Sequence, residues 1–303
     1  MAIRQIMITS LMVFPVWVGM MGGAMAEITG MAEARDALQA RVDSFHPLTD
    51  ENLFALEQPF ADILRARPGQ DLASARDALE GAGFSWQRLN SGFLLLTDQK
   101  GTGLGHYLFR PGAGDGVMIQ APHQFYDRHT GQLAIDLFLE SGASVLALNS
   151  AHRRLAVTGR TGNADIAHLD GTVFEPLTRA FALNQSDGVV LQLHGFSAEK
   201  RKSTAGREAD IIVSSGQRWL QPVAERFASC LARVDRWQVR RYPVDVGELG
   251  GTTNTQGALL RRLGNNRFVH LELSRSLRDW LVSDDAELKT FGACFRAMTS
   301  DLS

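Results

Sequence analysis

The chain has 303 residues, with 31 basic and 33 acidic side chains, a formal charge of −2 and two cysteines, Cys230 and Cys294. This balance lacks the basic excess of a nucleic-acid binder, so no nucleic-acid partner is expected. The length suits one large domain or one domain with a small appendage. The cysteines allow either a single disulfide in an oxidising compartment or two separately buried thiols.

Residues 1–26, "MAIRQIMITSLMVFPVWVGMMGGAMA", carry one charge, Arg4, then an apolar run, then Ala24-Met25-Ala26. That is the layout of a secretory signal peptide. The run from Ile6 to Ala26 is also long enough for an anchor, but Pro15, Gly19, Gly22 and Gly23 shorten any helix in it. Cleavage near Ala26 is expected, giving a periplasmic or secreted protein with no stable membrane insertion. No later segment is long and apolar enough to span a bilayer.

Residues 27–83 read as an N-terminal helical segment. "MAEARDALQARVDSF" and "ENLFALEQPFADILRAR" space apolar residues three and four apart, Thr49-Asp50-Glu51 looks like a helix start, and "DLASARDALEGAG" opens on a candidate cap, Asp71. From residue 84 the period shortens. "FSWQRL", "GFLLLTD", "GHYLF" and "GVMIQA" read as short strands between glycine turns, an antiparallel run leading into the core. The clusters "GTGLG" and "GAGDG" are turns, since neither meets a nucleotide-binding pattern nor precedes a helix.

Strands and helices then alternate. "TGQLAIDLFLESG" is helical, "ASVLALNS" a buried strand, "TVFEPLTRAFALN" helical, and "GVVLQLHGF" and "ADIIVSSG" strands. "QRWLQPVAERFASCLARV" reads as a long helix, "QVRRYPV" as a strand, "GELGGTTNTQG" as a loop, "RFVHLELS" as a strand and "SRSLRDWLVSDD" as a helix. The pattern predicts that residues 84–303 form an α/β domain, a three-layer sandwich with a mostly parallel mixed sheet. Ligands in such sheets gather at the carboxyl ends of the strands.

Three apolar strands end in ionisable side chains. "GVMIQAPHQFYD" delivers His123 and Asp127, "GVVLQLHG" delivers His194, and "RFVHLELS" carries His270 and Glu272 on one face. Two histidines and one carboxylate commonly hold a hydrolytic zinc ion, leaving the fourth position open to water as nucleophile. His123, Asp127 and His194 are the candidate ligands, His129 the reserve, and Glu272 the general base and acid. A lone histidine at a strand end is ordinarily just hydrogen-bonded, but a carboxylate set among apolar residues is costly to bury unless paired or used.

These residues, as "PHQFYD", "LHGF" and "HLELSRSLR", resemble the zinc carboxypeptidase-like superfamily, and in particular its N-formylglutamate amidohydrolase-like branch. The resemblance spans roughly residues 115 to 282. It implies an α/β/α fold, one zinc ion per chain, and hydrolysis of an amide beside a carboxylate in a small-molecule or peptide substrate. One departure stands out, because the superfamily's His-x-x-Glu is here His123-x-x-x-Asp127. A free carboxylate needs a cation, and arginine's planar fork suits it. Arg153 and Arg154, beyond a strand end and near Asn149, match the superfamily's Asn/Arg region. Arg275 and Arg278 are further candidates, and Asn254 is placed at the rim.

Two other readings stay open. A secreted binding protein for peptides or cell-wall fragments would use the same cleft without needing Glu272. A serine hydrolase would suit "LHGFS", but the sequence has no G-x-S-x-G elbow.

Overall fold

The computed structural model of the chain describes residues 30–67, 69–112 and 114–299, and the expected signal peptide lies outside them. The helical signals of the first segment give α1 (Met31–Leu38), α2 (Asp50–Ala55), α3 (Glu57–Arg65) and α4 (Ala73–Ala82). Thr49 caps α2, accepting from the Asn52 backbone. Asp71 does not cap α4. Leu72 holds that position, and the Asp71 carboxylate accepts from the Ala73 N–H instead.

The four short strands predicted next are β1 (Phe84–Arg88), β2 (Leu94–Asp98), β3 (His106–Phe109) and β4 (Val117–Ala121). The first three form the expected antiparallel run. β4 departs from it, because it lies between two parallel neighbours. Then come α5 (Thr130–Glu140), β5 (Val145–Leu148), α6 (Phe174–Asn184), β6 (Val189–Phe196), the short α7 (Thr204–Glu208) and β7 (Ile211–Ser214). The chain ends with α8 (Pro222–Leu231), β8 (Val239–Arg241), α9 (Thr255–Arg262), β9 (Phe268–Ser274), α10 (Arg275–Leu281) and α11 (Asp285–Thr299). α8 is shorter than predicted and starts at Pro222, which the first helical turn accepts. α9 and α11 were not anticipated. α9 begins inside the stretch that reads as a loop, once Asn254 caps it.

The strands make one sheet in the order β1-β2-β3-β5-β4-β6-β9-β7-β8. Its centre, β5-β4-β6-β9, is parallel, whereas β7 runs antiparallel to β9. Helices cover both faces. Leucines and phenylalanines of α5, α8, α10 and α11 join Ile119, Leu191, Leu193, Leu271 and Leu273 in one core. Residues of α3, α6 and α9 join Met118, Val145, Val190 and Phe268 in the other. The first helices are shared out, with α1 on the former face and α2 to α4 on the latter, so they help build both layers rather than an appendage. A disulfide joins Cys230 of α8 to Cys294 of α11, with Cα atoms 5.5 Å apart.

Strand alternation then positions the site. In the central strands one parity is apolar throughout, as in Val189, Leu191 and Leu193 of β6 and Val269, Leu271 and Leu273 of β9. The opposite parity carries Gln192 and His194 in β6, His270 and Glu272 in β9, and Gln120 in β4, all buried. Parallel pairing sets Gln192 beside His270 and His194 beside Glu272.

Candidate metal centre and cleft

His123 follows the proline that ends β4, and the chain turns at once. The Asp127 N–H donates to the His123 carbonyl at 2.8 Å, a single helical turn that puts both side chains on one side. Thr130 locks the turn by donating its hydroxyl to the Asp127 carbonyl. The longer spacing to a shorter carboxylate is thereby accommodated. His123 Nδ1 lies 3.4 Å from Asp127 Oδ2, His194 Nδ1 lies 3.6 Å from the same oxygen, and the two Nδ1 atoms are 3.1 Å apart. Four-coordinate zinc with bonds of about 2.0–2.1 Å places neighbouring donors roughly 3.3–3.4 Å apart. The triangle fits that ion, and its donors, two imidazole nitrogens and one carboxylate oxygen, are those zinc takes.

His129 stands outside this cluster. Its backbone is left-handed, at φ 71°, and its Nε2 faces Asp279 at 3.2 Å. Behind His123 stands a residue that sequence reading missed. Asp165 Oδ1 lies 2.7 Å from His123 Nε2, and its other oxygen accepts from Arg153. Only an acid between Ala164 and Ile166 in "GNADIAH" marks it in the sequence, and that signal is weak.

The electrostatics follow from burial and from this shared carboxylate. Burial alone would lower the pKa of His123, but the Asp127 and Asp165 carboxylates outweigh it and hold the value above normal. Burial, reinforced by His123, brings His194 down to about 4. Asp127 is pushed up by burial, yet its two imidazole partners hold it far below the ordinary carboxylate range. Glu272 is the opposite case. Burial, then the charge of Asp127, raises it to about 8, against the pull of Arg201 and Arg278. His270 Nε2 lies 3.9 Å from its carboxylate. The His270 ring packs on His194 with centroids 4.6 Å apart, and burial keeps it neutral. Gly251, at φ 61°, covers the other side, where a Cβ would come within 2.7 Å of the imidazole. A second possible ligand group, His194, His270 and Glu272, is likewise buried and shares His194 with the first.

The centre lies at the bottom of a cleft of about 540 Å³. Asp127, His194 and Glu272 line it together with Tyr126, Phe196, Leu249 and seven cations, Arg128, Arg153, Arg154, Lys200, Arg201, Arg275 and Arg278. The candidate recognition residues divide. Arg153 and Arg154 flank the Tyr126 ring at 5.1 and 4.8 Å, and Arg154 also donates to the Tyr126 hydroxyl at 2.8 Å. Arg275 sits exposed on the rim, 3.8 Å from Asp279. Arg278 is buried and donates to the carbonyls of Leu273, Phe196 and Arg128, tying the ends of β9 and β6 to the turn before α5. Gly195 makes room for it, since a Cβ there would meet the guanidinium at 2.4 Å. Asn149 is consumed by backbone bonds to Pro122 and Ala151. Asn254 is a correction. It is 1% exposed, caps α9 and donates to Gln192, so it lies behind His194 and away from the substrate cleft.

No family model matches the chain, and no curated protein does. Among solved structures it is similar to N-formylglutamate amidohydrolase from Ralstonia eutropha JMP134, at 12% identity and a TM-score of 0.43 over 65% of this chain and 95% of that one. It is also similar to a bacteriophage poly-γ-glutamate hydrolase, at 16% identity and a TM-score of 0.42 over 75% of this chain and 95% of the other.

Proposed function

We propose that this chain is an exported, zinc-dependent hydrolase of an amide or peptide bond in a small substrate that carries a carboxylate. The observation that carries the reading is the convergence of His123 Nδ1, Asp127 Oδ2 and His194 Nδ1 within 3.1–3.6 Å of one another at the bottom of a cationic cleft. Zinc held by these three residues supplies Lewis acidity, which acidifies water and polarises a scissile carbonyl. Glu272, on the neighbouring strand from His194, takes the proton from the attacking water and returns it to the leaving nitrogen. A carboxyl group that burial has moved to about 8 in the metal-free protein is suited to both tasks near neutrality. Arg153 and Arg154, beside Tyr126, receive the substrate carboxylate, and the excess of cations around the opening draws an anionic substrate in. The signal-like residues 1–26 and the Cys230–Cys294 disulfide support a periplasmic or secreted location.

The test is metal content by mass spectrometry on the purified protein, followed by hydrolysis assays on N-acyl amino acids and cell-wall peptides with and without chelator. One zinc per chain and chelator-sensitive release of a free amine are expected. A protein that takes up no zinc on incubation is not this hydrolase.

A further inference from the structure

Behind His194, away from the cleft, lies a cluster of amides that the chemistry above does not use. Gln120 and Gln192 are 0% exposed, Asn254 1% and Gln256 2%. An isolated carboxamide can present either its oxygen or its nitrogen to a neighbour. Here backbone groups remove that freedom at two ends. The Gly257 N–H donates to Asn254 Oδ1 at 2.9 Å, so the Asn254 amide nitrogen is the end that donates to Gln192 Oε1. Gln256 Nε2 donates to the Ile166 carbonyl at 3.1 Å, so Gln256 Oε1 faces Gln192, whose Nε2 donates to it at 3.2 Å. Gln192 Nε2 also donates to Gln120 Oε1 at 2.8 Å, while Gln120 Nε2 donates to the Thr178 hydroxyl at 2.9 Å. Rotating Gln192 by half a turn would set oxygen against two oxygens and nitrogen against the Asn254 nitrogen. Its Oε1 is therefore fixed as an acceptor, 2.7 Å from His194 Nε2.

We propose that Gln192 is a positioning residue: by accepting from His194 Nε2 it fixes the imidazole as the Nε2–H tautomer and leaves the Nδ1 lone pair facing His123 and Asp127. The inference deepens the metal-centre reading on which it rests. It assigns the cap of α9, a remote loop, to the upkeep of a ligand on β6. An acceptor on the outer nitrogen also raises the basicity of the inner one, and loss of such a partner typically lowers metal affinity 10- to 100-fold.

The test reads the tautomer directly, by nitrogen–proton correlation of the imidazole rings in metal-free protein at alkaline pH, beside zinc affinity measured by competition with a chelating dye. The wild type is expected to carry the His194 proton on Nε2. Gln192→Met is expected to populate both tautomers and to bind zinc about 10- to 100-fold more weakly. A wild-type proton on Nδ1 would overturn the proposal, and so would a Gln192→Met protein with unchanged tautomer and affinity. If Gln192→Met does not fold, Gln256→Leu removes only one of the groups that orient Gln192. It should shift both readouts in the same direction, and no shift in either defeats the idea. Because the spectrum needs neither metal nor substrate, a wild type with the expected tautomer that binds no zinc supports this assignment while sinking the hydrolase reading.

Discussion

Two buried clusters that each set a histidine beside a carboxylate are built on opposite plans. In β2 and β3, His106 Nδ1 accepts from the Asp98 N–H and its Nε2 donates to the Ala40 carbonyl. The Asp98 carboxylate accepts from the backbone of Thr102, Gly103 and Leu104 and from the Ser150 hydroxyl. Every polar atom there meets a complementary backbone or hydroxyl group, which is how buried polar groups are ordinarily satisfied. At the ends of β4 and β6, by contrast, His123 Nδ1, His194 Nδ1 and Asp127 Oδ2 converge on one another, with Arg153 3.3 Å from His123 Nδ1, and the outer nitrogens are held by Asp165 and Gln192. Burial and residue type are alike in the two places. What separates the two is whether the inward nitrogen is spent on a single backbone donor, as in His106, or converges with the ligating atoms of two other side chains, as in His123 and His194.

The largest break of this comparison should come from paired alanine variants. His194→Ala should lose zinc altogether in a metal assay. His106→Ala should keep one zinc per chain and instead lose about 1–3 kcal/mol of folding stability, the usual result of leaving buried groups unpaired. Equal metal loss in both variants would mean that the site depends on general integrity and not on these three donors. Next in size is Glu272→Gln. It should keep zinc while turnover falls by about 10²–10⁴-fold, the range for a general base or acid. Retained turnover would mean that Glu272 is not the group that moves the proton, and the cleft would have to draw its base from elsewhere.

Much of the central sheet was legible because burial on both sides writes itself as apolar parity. "VVLQLHGF" and "FVHLELS" each keep one parity apolar and place polar residues on the other, which makes His194 and Glu272 legible from the sequence alone. The helix α9 escaped because its amphipathic signal starts among glycines and threonines, with Asn254 acting as a cap through a side-chain bond that spacing does not announce. Asp165 and Gln192 escaped for a related reason. Their role depends on contacts 42 residues away in one case and with His194 and the amides behind it in the other, and nothing local distinguishes them from other polar residues. Arg278 reads as a solvated helix arginine, yet it is buried on carbonyls of Leu273, Phe196 and Arg128, two of them distant in sequence.

A smaller effect is expected at the cleft wall. Arg154→Ala should raise KM about tenfold with kcat held, the loss of one charge-assisted contact of about 1.5 kcal/mol. Arg275→Ala, exposed on the rim, should change KM by less than about twofold, as exposed ion pairs ordinarily do. Equal effects in steady-state assays would show that the cations act as a diffuse field instead of a clamp.

The smallest effect is one of pH on the metal-free protein, and it separates the two clusters without any substrate. Glu272 titrates at about 8 when folded against 4.5 for the free side chain, so the folded state holds this proton more tightly. Stability should therefore fall as pH rises from 4.5 to about 8, with the cost complete above that value. His194 works in the other direction, because its folded value of about 4 lies below 6.5. Its contribution is fully present above pH 6.5 and is lost as pH falls toward 4. His106, lowered by burial, has the same sign and is likewise silent above 6.5. The two directions oppose each other below pH 6.5, so the window from 6.5 to about 8 reports Glu272, with His123, raised in the folded state, adding in the same direction. Urea midpoints of metal-free protein should fall across that window, and Glu272→Gln should flatten the slope without removing it. Zinc should reverse it, since binding to deprotonated ligands grows stronger as pH rises. A wild-type slope that Glu272→Gln leaves unchanged would mean the Glu272 carboxyl is solvated rather than held beside Asp127, and the structural contrast between the two clusters would then rest on His194 alone.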